Sequence, residues 1–396
     1  MLDGKTIVLG VTGSIAAYKA AELASRLTQA GAKVEAVMTE PATRFISPMT
    51  LRGLTGREVA TSMWQPAAEH KAEHISLAQA ADVILIAPAT ANIIARVAGG
   101  IADDLLTCTV LATRAPVIIA PAMNDNMFTN PVTQENIGRL KARGFFFVEP
   151  GSGRLACGRA GIGRLAKTET IIGTVRQVLG RNGDLAGKSI VVTAGGTREA
   201  IDPVRYIGNR SSGKMGYALA CAARDRGAEV MLITTNTCLP ETVGMEAIGV
   251  DTAAEVKKVV DAAVKKADAL IMAAAVADYQ PKNVASSKIK KGDAALMLEM
   301  VKTPDILGEV KGDFIKVGFA AESEDLTANA KKKLQAKGLD LVIANDITAK
   351  DGGFAADSNK VSIIDKDGKV EDLPLMSKRE VADKILDRVV EIIAKP

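Results

Sequence analysis

Four groups of residues in this chain have the types and spacing that chemistry requires. Cys157 stands in PGSGRLACGRAGIGRLA. A structural cysteine hides among apolar neighbours, whereas this one lies between glycines and arginines, which favour an accessible thiol of lowered pKa. The segment is too rich in Gly and Arg for core and reads as a mobile flap. His70 and His74 are the chain's two histidines, in HKAEH. Their i,i+4 spacing would suit zinc, but the HExxH glutamate is missing and no third ligand is evident. His74 reads better as a single acid–base group near the mouth of a crevice. Residues 187–216, GKSIVVTAGGTREAIDPVRYIGNRSSGKMG, form an apolar strand, a glycine turn, a loop and a helix start. Free backbone N–H groups and the helix dipole make such a stretch an anion cradle. Finally, the strand-end segment ADALIMAAAVADYQP, with Asp278, leads into KNVASSKIKKGD. A lysine run is often a solvated edge, but placed beside an anion cradle it gathers phosphates.

The elements that must hold these groups come in two similar sets. Residues 4–39, GKTIVLGVTGSIAAYKAAELASRLTQAGAKVEAVMT, give a strand, a glycine turn, a helix from Ile15 to Ala30 and a second strand, and the stretch from 187 repeats that plan. Ligands of open α/β sheets sit beyond the carboxyl ends of strands. There ADVILIAPATAN brings Thr90 and Asn92, and RAPVIIAPAMNDNMF brings Met123 and Asn124, to one crevice. The first turn, GVTGS, is not GxGxxG, and strand two ends in Met38-Thr39 where an NAD site wants an acid, with Glu40 one residue on. A phosphate held by the backbone and Ser14 fits better. In the second half, VMLITT again lacks a terminal acid, and a helix spans Ala253 to Lys266. Phe319 falls at a strand end, Lys333 and Lys337 share a helix face, and KVSIIDKDGKV reads as an Asp-Gly hairpin before a C-terminal helix. The expectation is α/β: two doubly wound, Rossmann-like three-layer domains in tandem, residues 1–184 and 185–396.

Composition narrows the classes. With 396 residues, 47% apolar and 24% charged, the chain can build two or three cores. Aromatics at 3% and a net charge of +4 give stacking or duplex binding of nucleic acid little to use. Four cysteines without a CxxC pair fit a reducing compartment. No run nears the roughly 18 apolar residues of a membrane span. The expected protein is soluble and cytoplasmic, with no membrane or nucleic-acid partner.

GSIAAYK, HISL, PAMNDNMF and GRLACGR resemble the flavin-containing cysteine decarboxylases, whose hallmark is PxMNxxMW; Phe128 replaces that tryptophan. The resemblance implies FMN held by Gly13, Ser14, Thr39, Thr90, Asn92 and Met123, in a homotrimeric core with flavin at subunit contacts. It implies that His74 assists an oxidative half-reaction, that Asn124 positions the substrate carboxylate and that Cys157 protonates an enethiolate. TAGGT, IGNRSSGKMG, AAAVADY, KIKK and GFAAE resemble phosphopantothenate–cysteine ligase. The whole chain is thus similar to the fused bacterial enzymes of coenzyme A synthesis. These make 4′-phosphopantothenoylcysteine from 4′-phosphopantothenate, cysteine and CTP through an acyl-cytidylate, then decarboxylate it to 4′-phosphopantetheine. The resemblance implies nucleotide contacts at Ala274, Asp278, Lys288, Thr303, Pro304, Asp305, Ile306, Phe319, Lys333 and Lys337. Asp278 would hold Mg²⁺, Lys288 would stabilise the triphosphate charge, and Asn209 would hold the acyl-cytidylate. Decarboxylase trimers joined by ligase dimers would give a dodecamer. Two competing readings are an NAD(P)-dependent reductase, which bound yellow flavin would exclude, and a flavin-binding regulatory subunit without catalysis, against which His74 and Cys157 both speak.

Overall fold

The apolar, β-branched runs become the central strands of two parallel sheets. The computed structural model describes residues 2–64, 72–235, 243–291, 296–322, 326–346 and 356–394; His70 and Cys238 lie outside them. The chain divides into two compact units, Met1–Leu179 and Gly180–Pro396. The division falls at the end of the helix Thr168–Gly180, slightly ahead of the seam expected at residue 185.

In the first unit, β1 (Thr6–Val11), β2 (Lys33–Met38), β3 (Val59–Ala60), β4 (Val83–Ala89), β5 (Val117–Pro121) and β6 (Phe146–Phe147) form one sheet in the order β3-β2-β1-β4-β5-β6. Every pairing is parallel. The order reverses between β1 and β4, the switch point at which such sheets bind ligands. Side chains alternate across the sheet as strand geometry requires: Ile7, Leu9 and Val11 join one core and Val8 the other. Helix Lys19–Gln29 buries Ala20, Leu23, Ala24 and Leu27 at helical spacing. The helix expected from Ile15 begins as a 3₁₀ turn, Ile15–Tyr18, capped by Ser14. The Gly/Arg-rich segment is an antiparallel hairpin, β7 (Gly151–Arg154) and β8 (Ala160–Arg164).

The second unit repeats the plan with β9 (Ser189–Ala194), whose Ile190, Val192 and Ala194 face one core and Val191 the other. The loop after β9 carries a small hairpin, β10 (Arg198–Ala200) and β11 (Tyr206–Gly208). Further along come β12 (Glu229–Thr234), β13 (Glu246–Gly249), β14 (Ala269–Met272), the ribbon β15 (Tyr279–Pro281) with β16 (Met300–Lys302), and β17 (Ile315–Glu322). Then follow β18 (Leu341–Asp346), β19 (Ser358–Asn359), β20 (Val361–Asp365), β21 (Val370–Asp372) and β22 (Met376–Ser377). The main sheet runs β13-β12-β9-β14-β17-β18-β20-β21. The expected Asp-Gly hairpin is β20–β21, antiparallel at the sheet edge. Helices Lys214–Asp225 and Lys378–Ile393 cover one face. They are tied by buried Asp225, which accepts from Arg224 and from Arg379, each at 2.5 Å.

Candidate active sites

Parallel pairing puts the carboxyl ends of β1, β2, β4 and β5 on one edge, and side chains there knit the ends together. Thr12 Oγ1 donates to Pro88 O (2.7 Å) and accepts from Thr90 N (3.1 Å). Thr39 N bonds Val11 O (3.0 Å), and Ser14 Oγ reaches Ala122 O (3.5 Å). Gly13 fits here for want of a side chain: a Cβ would lie 2.5 Å from that of Pro41. Thr90 caps the helix Ala91–Gly99, with Asn92 exposed in its first turn. Thr39 Oγ1 is buried with no hydrogen-bond partner.

Beside this edge lies a cavity of about 440 Å³ whose lining includes Ser14, Met123, Asn124, Arg154, Cys157 and Arg164. The hairpin is pinned over it by Met123 N, which donates to Gly163 O at 3.0 Å. Asn124 caps the short helix Asp125–Thr129 through Oδ1, which accepts from Asn126 N at 3.0 Å. That fixes the carboxamide, and its Nδ2 points to Cys157 Sγ at 3.6 Å. Cys157 is exposed in the turn joining β7 to β8. His74 is half-buried in the first turn of helix Glu73–Ala80 and does not line this cavity. Its neighbour Glu73 has a buried, unpartnered Oε2, and burial pushes that carboxyl above its usual range.

The second unit holds a larger cavity, about 820 Å³, lined by residues of β14, β17 and β18 and of the loops after β11 and β14. Its lining brings together Asn209, Ala274, Asp278, Thr303, Pro304, Asp305, Ile306, Phe319, Lys333 and Lys337. Lys333 Nζ donates to Phe319 O at 2.7 Å, and Lys337 Nζ to Asp305 Oδ1 at 2.9 Å. Burial alone would raise Asp305, but Lys337, the Gly308 N–H and Lys333 outweigh it and hold the carboxyl below its usual range. Thr303 N bonds Asp278 O (3.0 Å) and Thr303 Oγ1 bonds Ala277 O (2.5 Å), so β16 and the loop after β14 meet at the rim. Asn209 Nδ2 donates to Val276 O at 3.1 Å. The helix Lys214–Asp225 opens at Gly213, φ +75°, a left-handed geometry that favours glycine, and Gly213, Lys214, Met215 and Gly216 line the cavity.

Lys288 is not brought in. It is exposed and absent from the cavity lining. Its neighbour Ile289 is held by both backbone groups: the N–H donates to Asp202 Oδ2 (3.1 Å), and the carbonyl accepts from Arg205 (2.9 Å). Asp202 is wholly inaccessible, and Arg205, with the N–H groups of Val204, Ile289 and Arg205, holds its carboxyl well below the usual range. Sequence reasoning passed over this buckle. It also passed over Lys214, Asn345, Asn359 and Lys378, all of which line the cavity. Glu40, the residue nearest to a ribose-binding acid, is exposed and paired with Arg44 at 2.8 Å.

Two family models divide the chain between them: "Flavoprotein" matches residues 1–180, and "DNA/pantothenate metabolism flavoprotein C-terminal domain" matches residues 185–393. The chain is 47% identical over 398 residues to Coenzyme A biosynthesis bifunctional protein CoaBC of Bacillus subtilis (strain 168), covering 99% of this chain and 98% of the relative. The protein of the same name from Vibrio vulnificus (strain YJ016) is 46% identical over 394 residues, 98% of each. Among solved structures, the C-terminal domain of Coenzyme A biosynthesis bifunctional protein CoaBC is 38% identical, covered in full by 54% of this chain, with a TM-score of 0.47. Among the described residues no helix is long and apolar enough to cross a membrane. With two family models in tandem and relatives matched from end to end, the chain belongs to the family of the coenzyme A biosynthesis bifunctional proteins.

Proposed function

We propose that the first unit is the FMN-dependent decarboxylase and the second the CTP-dependent ligase of this bifunctional enzyme. The ligase joins 4′-phosphopantothenate to cysteine, and the decarboxylase converts the product to 4′-phosphopantetheine. The observation that carries the reading is the convergence of Ala274, Asp278, residues 303–306, Phe319, Lys333 and Lys337 on one cavity.

In the ligase, a carboxylate is too poor an electrophile to meet an amine directly. The phosphopantothenate carboxylate attacks the α-phosphate of CTP, pyrophosphate leaves with the P–O electron pair, and cysteine's nitrogen then displaces CMP. Lys333 and Lys337 supply positive charge on the nucleotide side. Among the described residues no three His, Cys, Asp or Glu side chains gather for a metal. Asp278 lines the cavity and would hold Mg²⁺ in that ion's usual manner, one carboxylate with the rest from phosphates and water. Lys288 would reach the triphosphate from beside Ile289, whose backbone Asp202 and Arg205 hold.

The first unit fits a flavin. The orphaned Thr39 Oγ1 wants a partner, and Gly13, Ser14, Thr90, Asn92 and Met123 surround the same strand ends. FMN supplies, when bound, the electron acceptor that a simple cysteine carboxylate lacks. Asn124 Nδ2 holds the substrate carboxylate beside Cys157, whose Sγ–H delivers a proton to the enethiolate carbon. His74 stands outside this cavity, which supports assembly: in a trimer, His74 of one protomer meets the hairpin of its neighbour. Exposed Phe45, Met49, Leu111, Met127 and Val132 supply apolar surface for such contacts. Ligase dimers joining trimers make a dodecamer, in a cytoplasmic enzyme.

The test is incubation of the full-length protein with phosphopantothenate, cysteine, CTP and Mg²⁺, with mass spectrometry of the products and a visible spectrum of the enzyme. The expected result is 4′-phosphopantetheine, CMP and pyrophosphate from a yellow protein. Colourless protein, or amide formed without CTP consumption, overturns the reading.

A further inference from the structure

Two arms leave the rim of the larger cavity and are tied together at both ends. One runs back from Asn209 through β11 to the turn 201–205; the other runs forward from Asp278 through β15 to Lys288 and Ile289. At the rim, Asn209 Nδ2 donates to Val276 O at 3.1 Å. At the far end, Ala285 N donates to Ile201 O at 3.0 Å, and Ile289 N to Asp202 Oδ2 at 3.1 Å. Arg205 completes the tie by donating to Ile289 O at 2.9 Å.

The turn closes without this distant partner. Ile201 N donates to Arg205 O at 2.8 Å, and Asp202 Oδ1 accepts from Val204 N at 2.8 Å and Arg205 N at 2.9 Å, as an aspartate turn requires. A carboxylate in that role can stay at the surface, yet the Asp202 side chain is wholly buried. A buried charge is tolerated only when it is paired and its hydrogen bonds are made. Arg205 supplies the pairing, and the remaining bond goes to Ile289, 87 positions along the chain.

The grip falls on the N–H that follows Lys288 and not on the Lys288 ammonium. Asp202 is already balanced by Arg205, and among the described residues Lys288 has no carboxylate partner, so its charge stays available to phosphate oxygens. Anchors at 285 and 289 leave Ser286, Ser287 and Lys288 as a short arc. An arc pinned at both ends has far fewer conformations than a free lysine-rich run, so less entropy is lost when its lysine meets a leaving group.

We propose that Asp202 is a positioning residue of the ligase, acting through Ile289 to hold the arc that carries Lys288 in register with the cavity rim. This rests on the reading that Lys288 stabilises the departing pyrophosphate.

The experiment is a double-mutant cycle on the full-length enzyme, read as pyrophosphate release from CTP and phosphopantothenate in the absence of cysteine. Asp202→Ala should lower the rate at saturating CTP about five- to tenfold and leave the half-saturating CTP concentration within about twofold, because Asp202 does not line the cavity. In a Lys288→Gln background the same substitution should slow release by less than about twofold more, since no ammonium is left to place. Ile289→Pro guards against a misfolded Asp202→Ala variant: it removes only the N–H that Asp202 takes from the arc and leaves the Asp202–Arg205 pair intact. It should show the same loss, and the same lack of further loss with Lys288→Gln. Losses that multiply in the double variants would overturn the proposal and leave Asp202 a support of the fold alone. An unchanged rate in Asp202→Ala and Ile289→Pro, with Lys288→Gln slow, would overturn it too. Failure of the underlying reading shows separately, as normal release by Lys288→Gln alone, which withdraws the role of Lys288 and the proposal with it.

Discussion

The two units open alike and finish differently. In each, the lysine just ahead of the first strand clasps the aspartate just ahead of the neighbouring strand: Lys5 Nζ to Asp82 Oδ1 at 2.9 Å, Lys188 Nζ to Asp268 Oδ1 at 3.0 Å. The same aspartate accepts the first N–H of the strand, Thr6 or Ser189, at 2.8 Å in both. The frame is repeated down to one ion pair. The carboxyl ends are not. The first crevice is small and roofed by a hairpin that sets a thiol against Asn124; the second is nearly twice as large, lined by lysines and opened by a helix N-terminus. The frame decides where a ligand goes, and the loops decide what happens to it.

If that division holds, loop changes should abolish one activity and spare the other. The largest effect belongs to Cys157→Ser, since serine fills the space but is a much weaker acid. Formation of 4′-phosphopantetheine should fall by about 100-fold or more while pyrophosphate release is unchanged. A wild-type rate of product formation would remove Cys157 from the mechanism. Lys288→Gln should do the reverse, suppressing pyrophosphate release by about tenfold or more even without cysteine, because charge grows on the leaving group in that step. Normal release would mean that the exposed position seen for Lys288 is also its working position. Asn209→Ala should separate the ligase steps with a smaller loss. Asn209 is exposed, and losing one hydrogen bond costs about 0.5–1.5 kcal/mol, so pyrophosphate should still form while amide formation slows up to about tenfold. Equal loss in both steps would contradict a role confined to the acyl-cytidylate.

Changes in the frame should instead lower stability slightly and similarly in both units. Asp82 and Asp268 are held below the usual carboxylate range; burial opposes this, and a strand N–H and the lysine outweigh it. A lowered folded pKa means stability that is present above the unfolded value, about 3.9, and lost as pH falls through the folded one. Both pairs are partly exposed, so Asp82→Asn and Asp268→Asn should each cost about 1 kcal/mol or less at pH 7. That cost should disappear in acid, as read by denaturant melts at both pH values. A penalty that persists there would assign it to packing rather than charge.

The strands and crevice were legible because buried parallel strands announce themselves as apolar runs ended by Gly, Thr or Asn. That is how Ser14, Asn124 and Ala274 could be placed just beyond strand ends, whereas Phe319, expected at a strand end, lies within β17. Lys333 and Lys337 were legible as one helix face. What escaped came from short or distant pieces. The β10–β11 hairpin has three-residue strands, so nothing in the periodicity reveals that buried Asp202 buckles the Lys288 segment. Asn345 and Asn359 are single amides that no motif marks. Only the antiparallel return of β20 and the start of the C-terminal helix carry them to Lys214, more than a hundred residues earlier. His74 reads as an active-site residue, but its own chain does not bring it to Cys157.

The most direct measurement of the central claim, one repeated frame with two independent chemistries, feeds each variant the substrate of the other half. Given 4′-phosphopantothenoylcysteine, Lys288→Gln should yield 4′-phosphopantetheine at the wild-type rate. Given phosphopantothenate, cysteine and CTP, Cys157→Ser should release CMP at the wild-type rate and fail to form 4′-phosphopantetheine. Loss of both activities in either variant would contradict the account, because the two sites would then share one machinery.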